Sequence, residues 1–230
     1  MENKKLDPRD AADFLVDTIK LSAEEKREIA YEEEIVFIGT AEEKYLNPVE
    51  RERKIKQLQE NLQICGEIVH GNAADIFEIA SALLGFFEKT AASFCNSDSR
   101  VQAIFESMKL VEARNILQEL WNCYDKNVNE RKDAESKIST DQPLKKRELL
   151  YDKLKECEKN TEDFKSRSAT IVNSLLSALS NENFLSNKNI LSMVENATAR
   201  FRGDIDKYEK FKKEYESILA RIRKLYICAA

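Results

Sequence analysis

Apolar residues recur every third or fourth position from residue 50 onward, which is the spacing of a helix that packs along its whole length. With Ile55 as heptad position a, the a series is Ile55, Leu62, Val69, Ile76 and Leu83, and the d series is Leu58, Cys65, Asn72, Ile79 and Phe86. The pattern predicts one helix from about Pro48 to Phe94. At ~1.5 Å per residue this helix is about 65 to 70 Å long, so it needs equally long neighbours.

Two further helical stretches follow. A second helix is predicted over 100–138, because apolar positions recur at helical spacing through Trp121 and Val128. The polar stretch Asn127–Gln142 then predicts a hairpin tip, with Pro143 near the first turn of the next helix. A third helix is predicted over 143–228. Its apolar series weakens near 180–190, where no proline or glycine occurs, so we expect a kink there rather than a loop.

Together these stretches predict an all-α protein in which three long antiparallel helices form a coiled-coil bundle. Only five glycines and three prolines occur in 230 residues, which disfavours a sheet fold with its frequent turns. The seams of three helices leave more apolar surface than such a bundle covers, so we also expect a dimer. The residues expected in the bundle core or at the dimer contact are Leu62, Val69, Ile76, Leu83, Phe86, Trp121, Phe164, Phe201, Tyr208 and Tyr215.

Residues 1–49 are predicted to form a separate acidic extension of the bundle at 50–230. Residues 1–50 contain seven Lys and Arg against fourteen Asp and Glu, a net charge of −7, whereas the whole chain carries −5. A short helix is predicted over Ala11–Ile29. Three roles are open for the extension: docking on the bundle, binding a partner, or serving as a linker.

The sequence contains no recognisable catalytic or cofactor site. His70, the single histidine, follows the a residue Val69 and is expected on the helix surface, with no metal-ligand spacing around it. Gly66 and Gly71 have the spacing of a phosphate-binding loop, but Asn72 follows where a lysine is required. We therefore expect no enzyme activity, no metal and no cofactor. The net charge of −5 also disfavours nucleic acid as a partner.

Cysteine usage and hydropathy favour a cytoplasmic protein. The five cysteines are widely spaced and mostly occupy apolar helix positions, which is typical of reduced thiols in a core. No window of about 18 apolar residues occurs, and the amino terminus is charged instead of leading into an apolar segment. We expect neither a transmembrane helix nor a secretory signal.

Three stretches resemble the BAR domain family, the crescent-shaped helical dimers that bind curved membranes. The stretch from Ile55 to Phe87 is similar to the family's first helix, Asn122–Lys126 to the tyrosine-and-lysine stretch that enters its tip, and Tyr151–Phe164 to the start of its third helix. The likeness is greatest to the sorting-nexin and amphiphysin branches and covers residues 50–230. The chain departs from the family in its acidic amino-terminal segment, where some members have a basic amphipathic helix.

The resemblance implies a cytoplasmic, dimeric scaffold that senses or generates curvature in membrane trafficking and protein transport, on endosomal or other intracellular membranes. Its partners are then an anionic phospholipid membrane and a second copy of the chain or a related helical protein. Attraction to an anionic leaflet needs clustered cations, at about 1 kcal/mol each. The membrane-binding candidates around the tip are Lys126, Arg131, Lys132, Lys137, Lys145, Lys146, Arg147, Lys153 and Lys155.

Acidic residues are nearly as frequent as basic ones around this tip, which leaves a second function open. In that alternative the protein is a coiled-coil assembly or tethering subunit that uses its apolar seams to bind proteins and makes no direct contact with lipid. One continuous basic surface favours the membrane function, and scattered charges favour the assembly function.

Overall fold

The computed structural model describes residues 46–95, 106, 109–139, 142–180 and 187–227, with side chains of the first range described to residue 89. Every regular element in these ranges is a helix, which confirms the all-α prediction. The helices are α1 (Pro48–Cys95), α2 (Leu110–Ser136), α3 (Leu144–Leu179) and α4 (Lys188–Ile222), and a π-helical turn, Arg223–Ile227, follows α4. The predicted helix at Ala11–Ile29, the extension up to residue 45 and the predicted helix start near Arg100 lie outside the described residues.

α1 begins with a capping box. The Asn47 side-chain oxygen accepts a hydrogen bond from the Glu50 amide at 2.9 Å, and the Glu50 carboxylate accepts one from the Asn47 amide at 3.1 Å. Pro48 occupies the first turn, where a helix has no acceptor for its N–H. The heptad series predicted a helix from about Pro48 to Phe94, and α1 extends over Pro48–Cys95. Every residue of the a and d series is buried.

The predicted single third helix is wrong, because α3 and α4 are two helices between which the chain reverses direction. Lys212 of α4 pairs with Glu162 of α3 at 2.8 Å, whereas Arg223, later in the chain, lies 5.8 Å from the ring centre of Tyr151, earlier in α3. Contacts in opposite order along two helices require an antiparallel pair. α4 also has its own cap, since the Asn187 side chain accepts a backbone amide of the first turn at 3.0 Å. A reversal therefore lies where the sequence predicted a kink.

The described helices contribute to two compact units. Unit 1 comprises the described parts of Ala73–Asn122 and Phe164–Ile205, and unit 2 comprises 46–72, the described parts of Cys123–Asp163, and 206–227. Each unit contains segments of all four helices, so neither has the predicted three-helix composition.

In unit 2 the four segments pack as antiparallel neighbours. Gln59 of α1 donates to the backbone carbonyl of Glu135 in α2 at 2.7 Å, whereas the carbonyl of His70, later in α1, accepts from Tyr124, earlier in α2. The Cys65 thiol of α1 lies 3.8 Å from a backbone carbonyl of α4. α1 is therefore packed against more than one helix in this unit, which buries more of its circumference than a two-helix seam does.

Unit 1 has a continuous apolar core to which all four helices contribute. Its large members are Ile76, Ile79, Leu83, Leu84, Phe86 and Phe87 of α1, Leu117 of α2, Val172, Leu175, Leu176 and Leu179 of α3, and Ile190, Met193, Val194 and Phe201 of α4. Full burial of such a side chain contributes about 1.5 to 3 kcal/mol, so this core is the main source of stability in the unit.

Carbodiimide coupling tests the reversal between α3 and α4 in the unaltered chain. The ion pair at 2.8 Å places the Lys212 amine against the Glu162 carboxylate, so we expect an amide cross-link between these residues in the monomer fraction, identified by mass spectrometry. In one continuous helix the two residues would lie about 75 Å apart. Lys212→Arg, which keeps the charge but forms no such amide, is the control. Absence of the cross-link from wild-type monomer contradicts the antiparallel pair.

Candidate functional site

The tip between α2 and α3 carries most of the cations that the sequence analysis selected for membrane contact. Four lysines form ion pairs with carboxylates: Lys126 with Glu130 at 3.6 Å, Lys132 with Glu67 at 3.2 Å, Lys137 with Asp133 at 2.7 Å, and Lys153 with Glu130 at 3.7 Å. Such surface pairs add only about 0 to 1 kcal/mol to stability. Each carboxylate nevertheless cancels charge that would attract an anionic surface. Lys145, Lys146 and Lys155 are exposed, and Lys155 also lies 5.6 Å from the Tyr151 ring centre.

Arg131 does not belong to this surface, which corrects the sequence-based assignment. Its side chain is 1% exposed, and its Nη1 lies 2.8 Å from both carboxylate oxygens of Glu135, one turn later on α2. Tyr215 of α4 donates its hydroxyl to the same carboxylate at 3.2 Å. A charge placed in a core needs such partners, because desolvation costs several kcal/mol per ion. Arg131 is therefore a structural residue of unit 2.

Burial determines the protonation behaviour of this cluster. It raises the pKa of the Glu135 carboxyl, and the adjacent Arg131 guanidinium opposes the rise. Burial and the Glu135 charge also raise the pKa of the Tyr215 hydroxyl. The tyrosine therefore keeps its proton and remains a hydrogen-bond donor to the carboxylate.

Gly66 provides the space that the Arg131 guanidinium occupies. A Cβ atom at residue 66 would overlap Arg131 Nη1 and would lie 2.9 Å from a carboxylate oxygen of Glu135. Glycine inside a helix costs about 0.5 to 1 kcal/mol relative to alanine, so helix stability is lost here in exchange for room. Gly66, which resembled part of a phosphate-binding loop in the sequence, has a packing role.

Arg147 also has a structural role at the tip. Its Nε donates to the Gln142 carbonyl at 2.6 Å and its Nη1 to the Tyr226 carbonyl at 3.0 Å, and the guanidinium lies 5.1 Å from the Tyr226 ring centre. The Tyr226 hydroxyl accepts the Ser139 amide at 3.2 Å. Arg147 thus links the π-helical turn to the connection between α2 and α3, and the described partners of its guanidinium are uncharged.

His70 is 5% exposed, which corrects the surface position predicted from its heptad register. Its Nε2 lies 3.1 Å from the Thr161 hydroxyl of α3, and Asn127 of α2 donates to that hydroxyl at 3.0 Å. Tyr124 of α2 donates to the His70 carbonyl at 2.5 Å. The register failed because α2 and α3 both cover this side of α1. Burial lowers the pKa of His70, and the charge of Arg131 adds to the effect.

Unit 1 contains a cluster with more carboxylates than cations. Arg200 of α4 lies 3.5 Å from Asp75, 3.9 Å from Glu78 and 3.6 Å from Asp204. Burial raises the pKa of Asp204 to about 7, the Asp75 charge contributes to the rise, and Arg200 opposes it. Asp204 therefore changes its protonation state near neutral pH. Sequence analysis missed this cluster because its members come from two helices that are distant in the chain.

Trp121 is the predicted core residue that the structure leaves partly open, since it is 42% exposed. Its ring stacks on Phe77 of α1 with centres 5.0 Å apart, and Phe77 stacks on Phe164 of α3 at 5.3 Å. The other predicted core residues are buried: Leu62, Val69, Ile76, Leu83, Phe86, Phe164, Phe201, Tyr208 and Tyr215.

An open groove of about 350 Å³ lies beside this tryptophan, between α1 and α2 of unit 1. It is lined by Phe77, Ser81, Leu84, Gly85 and Glu88 of α1 and by Arg114, Leu117, Gln118 and Trp121 of α2. Among the described residues, no atom lies within 4 Å of the position that a Cβ atom at Gly85 would take. An ion pair between Arg114 and Glu88 lies at the end of the groove opposite Trp121. The sequence signal for this feature was Gly85, a glycine in a helix interior.

The three cysteines with described side chains are free thiols. Cys65 and Cys157 are buried, and Cys123 is exposed. Burial raises the pKa of Cys65 to about 12 and that of Cys157 to about 11. Because the thiolate is the reactive form, these two buried thiols are poor nucleophiles at neutral pH.

Within the described ranges no helix is long and apolar enough to cross a membrane, and no group of His, Cys, Asp or Glu is arranged to hold a metal ion. No protein-family model, curated protein or solved structure matches this chain at a significant level. The exposed lysines of the tip and the groove beside Trp121 are surface features suited to binding.

Substitution of two helical glycines by alanine should have opposite effects. Gly66→Ala displaces Arg131 from its buried pair, so we expect it to destabilise the protein by roughly 1 to 3 kcal/mol despite the better helix propensity of alanine. Gly85→Ala meets open space and should stabilise it by about 0.5 to 1 kcal/mol. Urea unfolding measures both. A gain in stability from Gly66→Ala would show that the guanidinium can be moved freely.

Asp204 should make stability fall as pH rises toward neutrality. Its pKa is about 7 in the folded protein against an ordinary value of 3.8, so between these values the folded state holds a proton that the unfolded chain releases. Unfolding free energies measured from pH ~5 to ~8 should therefore decrease less in Asp204→Asn than in wild type.

Asp206→Asn, two residues later and exposed, is the matched control and should keep the wild-type slope. Burial and Glu216 raise the pKa of Glu158 to about 7 as well, and His70 acts in the opposite direction because its pKa is lowered. Both groups are present in all three proteins, so the difference between slopes isolates Asp204. Equal slopes in Asp204→Asn and wild type would contradict the assignment.

Proposed function

We propose that this protein is a non-catalytic helical scaffold that works by binding other protein chains. The observation that carries the proposal is the pairing of charges around the tip, where carboxylates accompany most of the lysines that a membrane function would use. Of the two arginines in the same predicted set, Arg131 is buried in an ion pair with Glu135, and Arg147 is half-buried and donates to two backbone carbonyls. This pattern of scattered, compensated charge is the one that favours assembly over lipid binding.

The charge that remains at the tip is small. Lys126 and Lys153 share Glu130 and so leave about one net charge, and Lys145, Lys146 and Lys155 add three. Arg147 adds one more, because its described partners are two backbone carbonyls and a tyrosine ring, which carry no charge. At about 1 kcal/mol per cation near an anionic leaflet, the attraction amounts to roughly 5 kcal/mol before neighbouring acids are counted. That energy corresponds to a weak contact, further reduced at physiological salt.

Exposed apolar side chains in unit 1 suit a protein partner better. Trp121 is partly open at the groove, Arg114 lies at the other end of it, and Val111 on the same helix is 75% exposed. Tryptophan and arginine are the residues most enriched at the energetic centres of protein interfaces. The two charged residues in the described lining of the groove, Arg114 and Glu88, form an ion pair with each other. This fits an interface core, because such cores are depleted of charged residues.

Membrane binding is the second candidate, and one feature of the tip favours it. Lys145 and Lys146 are exposed next to the exposed leucines Leu144 and Leu149, and a mixture of cations with apolar side chains suits the headgroup region of a bilayer. In that case the protein is the dimeric curvature scaffold that the BAR resemblance implies, on endosomal or other intracellular membranes. Since each unit contains four helical segments, this candidate depends on the tip rather than on a three-helix layout.

Co-sedimentation with anionic liposomes at about 50 to about 300 mM salt separates the two candidates. A protein-binding scaffold should stay in the supernatant at every salt concentration. Binding at low salt that Lys145→Glu/Lys146→Glu abolishes would overturn the proposal in favour of the membrane candidate.

The control is Lys159→Glu/Lys213→Glu, which makes the same change of charge at exposed lysines elsewhere in unit 2. Arg147 is left unchanged because its substitution would disturb the fold and not only the surface. If both double variants lose binding equally, net charge and not the tip governs attraction to lipid, and the scaffold proposal is again overturned.

A further inference from the structure

We infer that the groove beside Trp121 is a self-association surface, into which a second copy of the chain inserts the same tryptophan. The inference rests on the proposal that protein contacts carry the function, and it names both the surface and the partner. All of the residues that it uses belong to unit 1.

The groove has a partly exposed tryptophan at one end and, among the described residues, open space beside Gly85 at the other, which we call the vacant end. Trp121 lies at the level of Phe77, and Gly85 lies eight residues further along α1, about 12 Å away at ~1.5 Å per residue. Ser81 and Gln118 lie between these ends. A two-fold axis through the middle of the groove exchanges the two ends, so each tryptophan would enter the partner's vacant end. One groove therefore provides both halves of an isologous contact.

The chemistry of the vacant end suits an indole ring. Leu84 and Leu117 are buried apolar side chains beside it, and Gly85 contributes no side chain of its own. Arg114, held by Glu88, lies at this end, and an arginine over a tryptophan face contributes a cation–π interaction. The volume of about 350 Å³ is at the lower end of small-ligand sites, so a single large side chain occupies much of it.

Charge and hydrogen bonding also favour a second copy. The described lining contains one cation, Arg114, and one anion, Glu88, so these residues of two copies meet without net repulsion. Gln118 lies near the proposed axis, and its amide both donates and accepts, so it can pair with its own symmetry mate. A short contact of this kind belongs to the small, transient class of interfaces. We expect a dissociation constant of about 1 to 100 μM.

The test uses two variants of this chain, each of which alters one end of the groove. Trp121→Gln removes the inserted side chain, and Gly85→Leu fills the vacant end without any clash at its Cβ. Each should weaken dimerisation measured by sedimentation equilibrium about tenfold or more, the loss typical of a hot-spot residue. Leu191→Gln, an equally polar change at an exposed residue of α4 outside the groove, should leave it unchanged.

A mixture of the two variants gives the sharpest outcome. Trp121→Gln retains the vacant end and Gly85→Leu retains the tryptophan, so a mixed dimer keeps one of the two contacts whereas each variant alone keeps none. The mixture should therefore associate more strongly than either component. If it associates no better than its components, or if either variant dimerises like wild type, the groove is not the interface.

Fluorescence provides a readout on the unaltered protein, because Trp121 is the single tryptophan of the chain. Its emission should shift to the blue and become less accessible to iodide as protein concentration rises from ~1 to ~100 μM, the range of the expected affinity. Gly85→Leu, which keeps the tryptophan, should show no such change. A wild-type chain that stays monomeric, or that dimerises without a change in emission, overturns the inference.

Failure of this inference is distinguishable from failure of the proposed function. A monomeric wild type that also ignores anionic liposomes refutes the groove contact and leaves a different protein chain as the partner of the scaffold. A wild type that dimerises through the groove and binds liposomes through Lys145 and Lys146 refutes the scaffold proposal and leaves the groove contact in place.

Discussion

The packing of unit 2 depends on the buried ion pair between Arg131 and Glu135. Removing a guanidinium from water costs several kcal/mol, and the cost is offset only where a carboxylate and further donors are correctly placed. Those conditions come from three helices: α2 supplies both charges, α4 supplies the Tyr215 hydroxyl, and α1 supplies the gap at Gly66. Arg131 Nε and Nη2 have no hydrogen-bond partner among the described residues. Loss of the bonds from Nη1 to Glu135 would therefore leave the buried guanidinium without any of its described hydrogen bonds. A shift of any of these helices by one residue would expose an unpaired charge to the core.

The two units are stabilised by different means. In unit 2 the inward face of α2 carries Tyr124, Asn127, Arg131 and Glu135 at helical spacing, each in a directional hydrogen bond. In unit 1 the corresponding core is apolar and depends on the packing of leucine, isoleucine and phenylalanine side chains. Apolar packing tolerates small rearrangements, whereas buried polar bonds hold only in one register. The tip-proximal part of the chain is therefore the part whose helix register is most strictly specified.

Sequence reasoning succeeded where the information was local. The heptad repeat in α1 and its proline-containing start are patterns within one helix, and they match the observed bounds and burial. No glycine or proline occurs in 180–187, so the local sequence does not signal the change of direction between α3 and α4. Contacts between the two helices, such as that of Lys212 with Glu162, reveal it.

Residue type misled the sequence analysis where tertiary partners override it. Arg131 and His70 were placed on the surface because charged and polar side chains usually lie there, and their burial depends on Glu135, Tyr215 and Thr161 from elsewhere in the fold. The i, i+4 spacing of Arg131 and Glu135 was a visible signal, but the same spacing occurs in exposed pairs such as Lys126 and Glu130. Trp121 was placed in the core because it is an aromatic residue at the helical spacing of the apolar series.

The contact between Gly66 and Arg131 also restricts which sequences can adopt this fold. The two positions are 65 residues apart in the chain, yet the side chain at one occupies the volume that is missing at the other. Evolution can therefore change them only as a pair: a larger residue at 66 requires a shorter, uncharged one at 131, and loss of the arginine removes the reason for an acid at 135. Divergent sequences that share this architecture should display that three-way covariation even where little else in their alignment is retained.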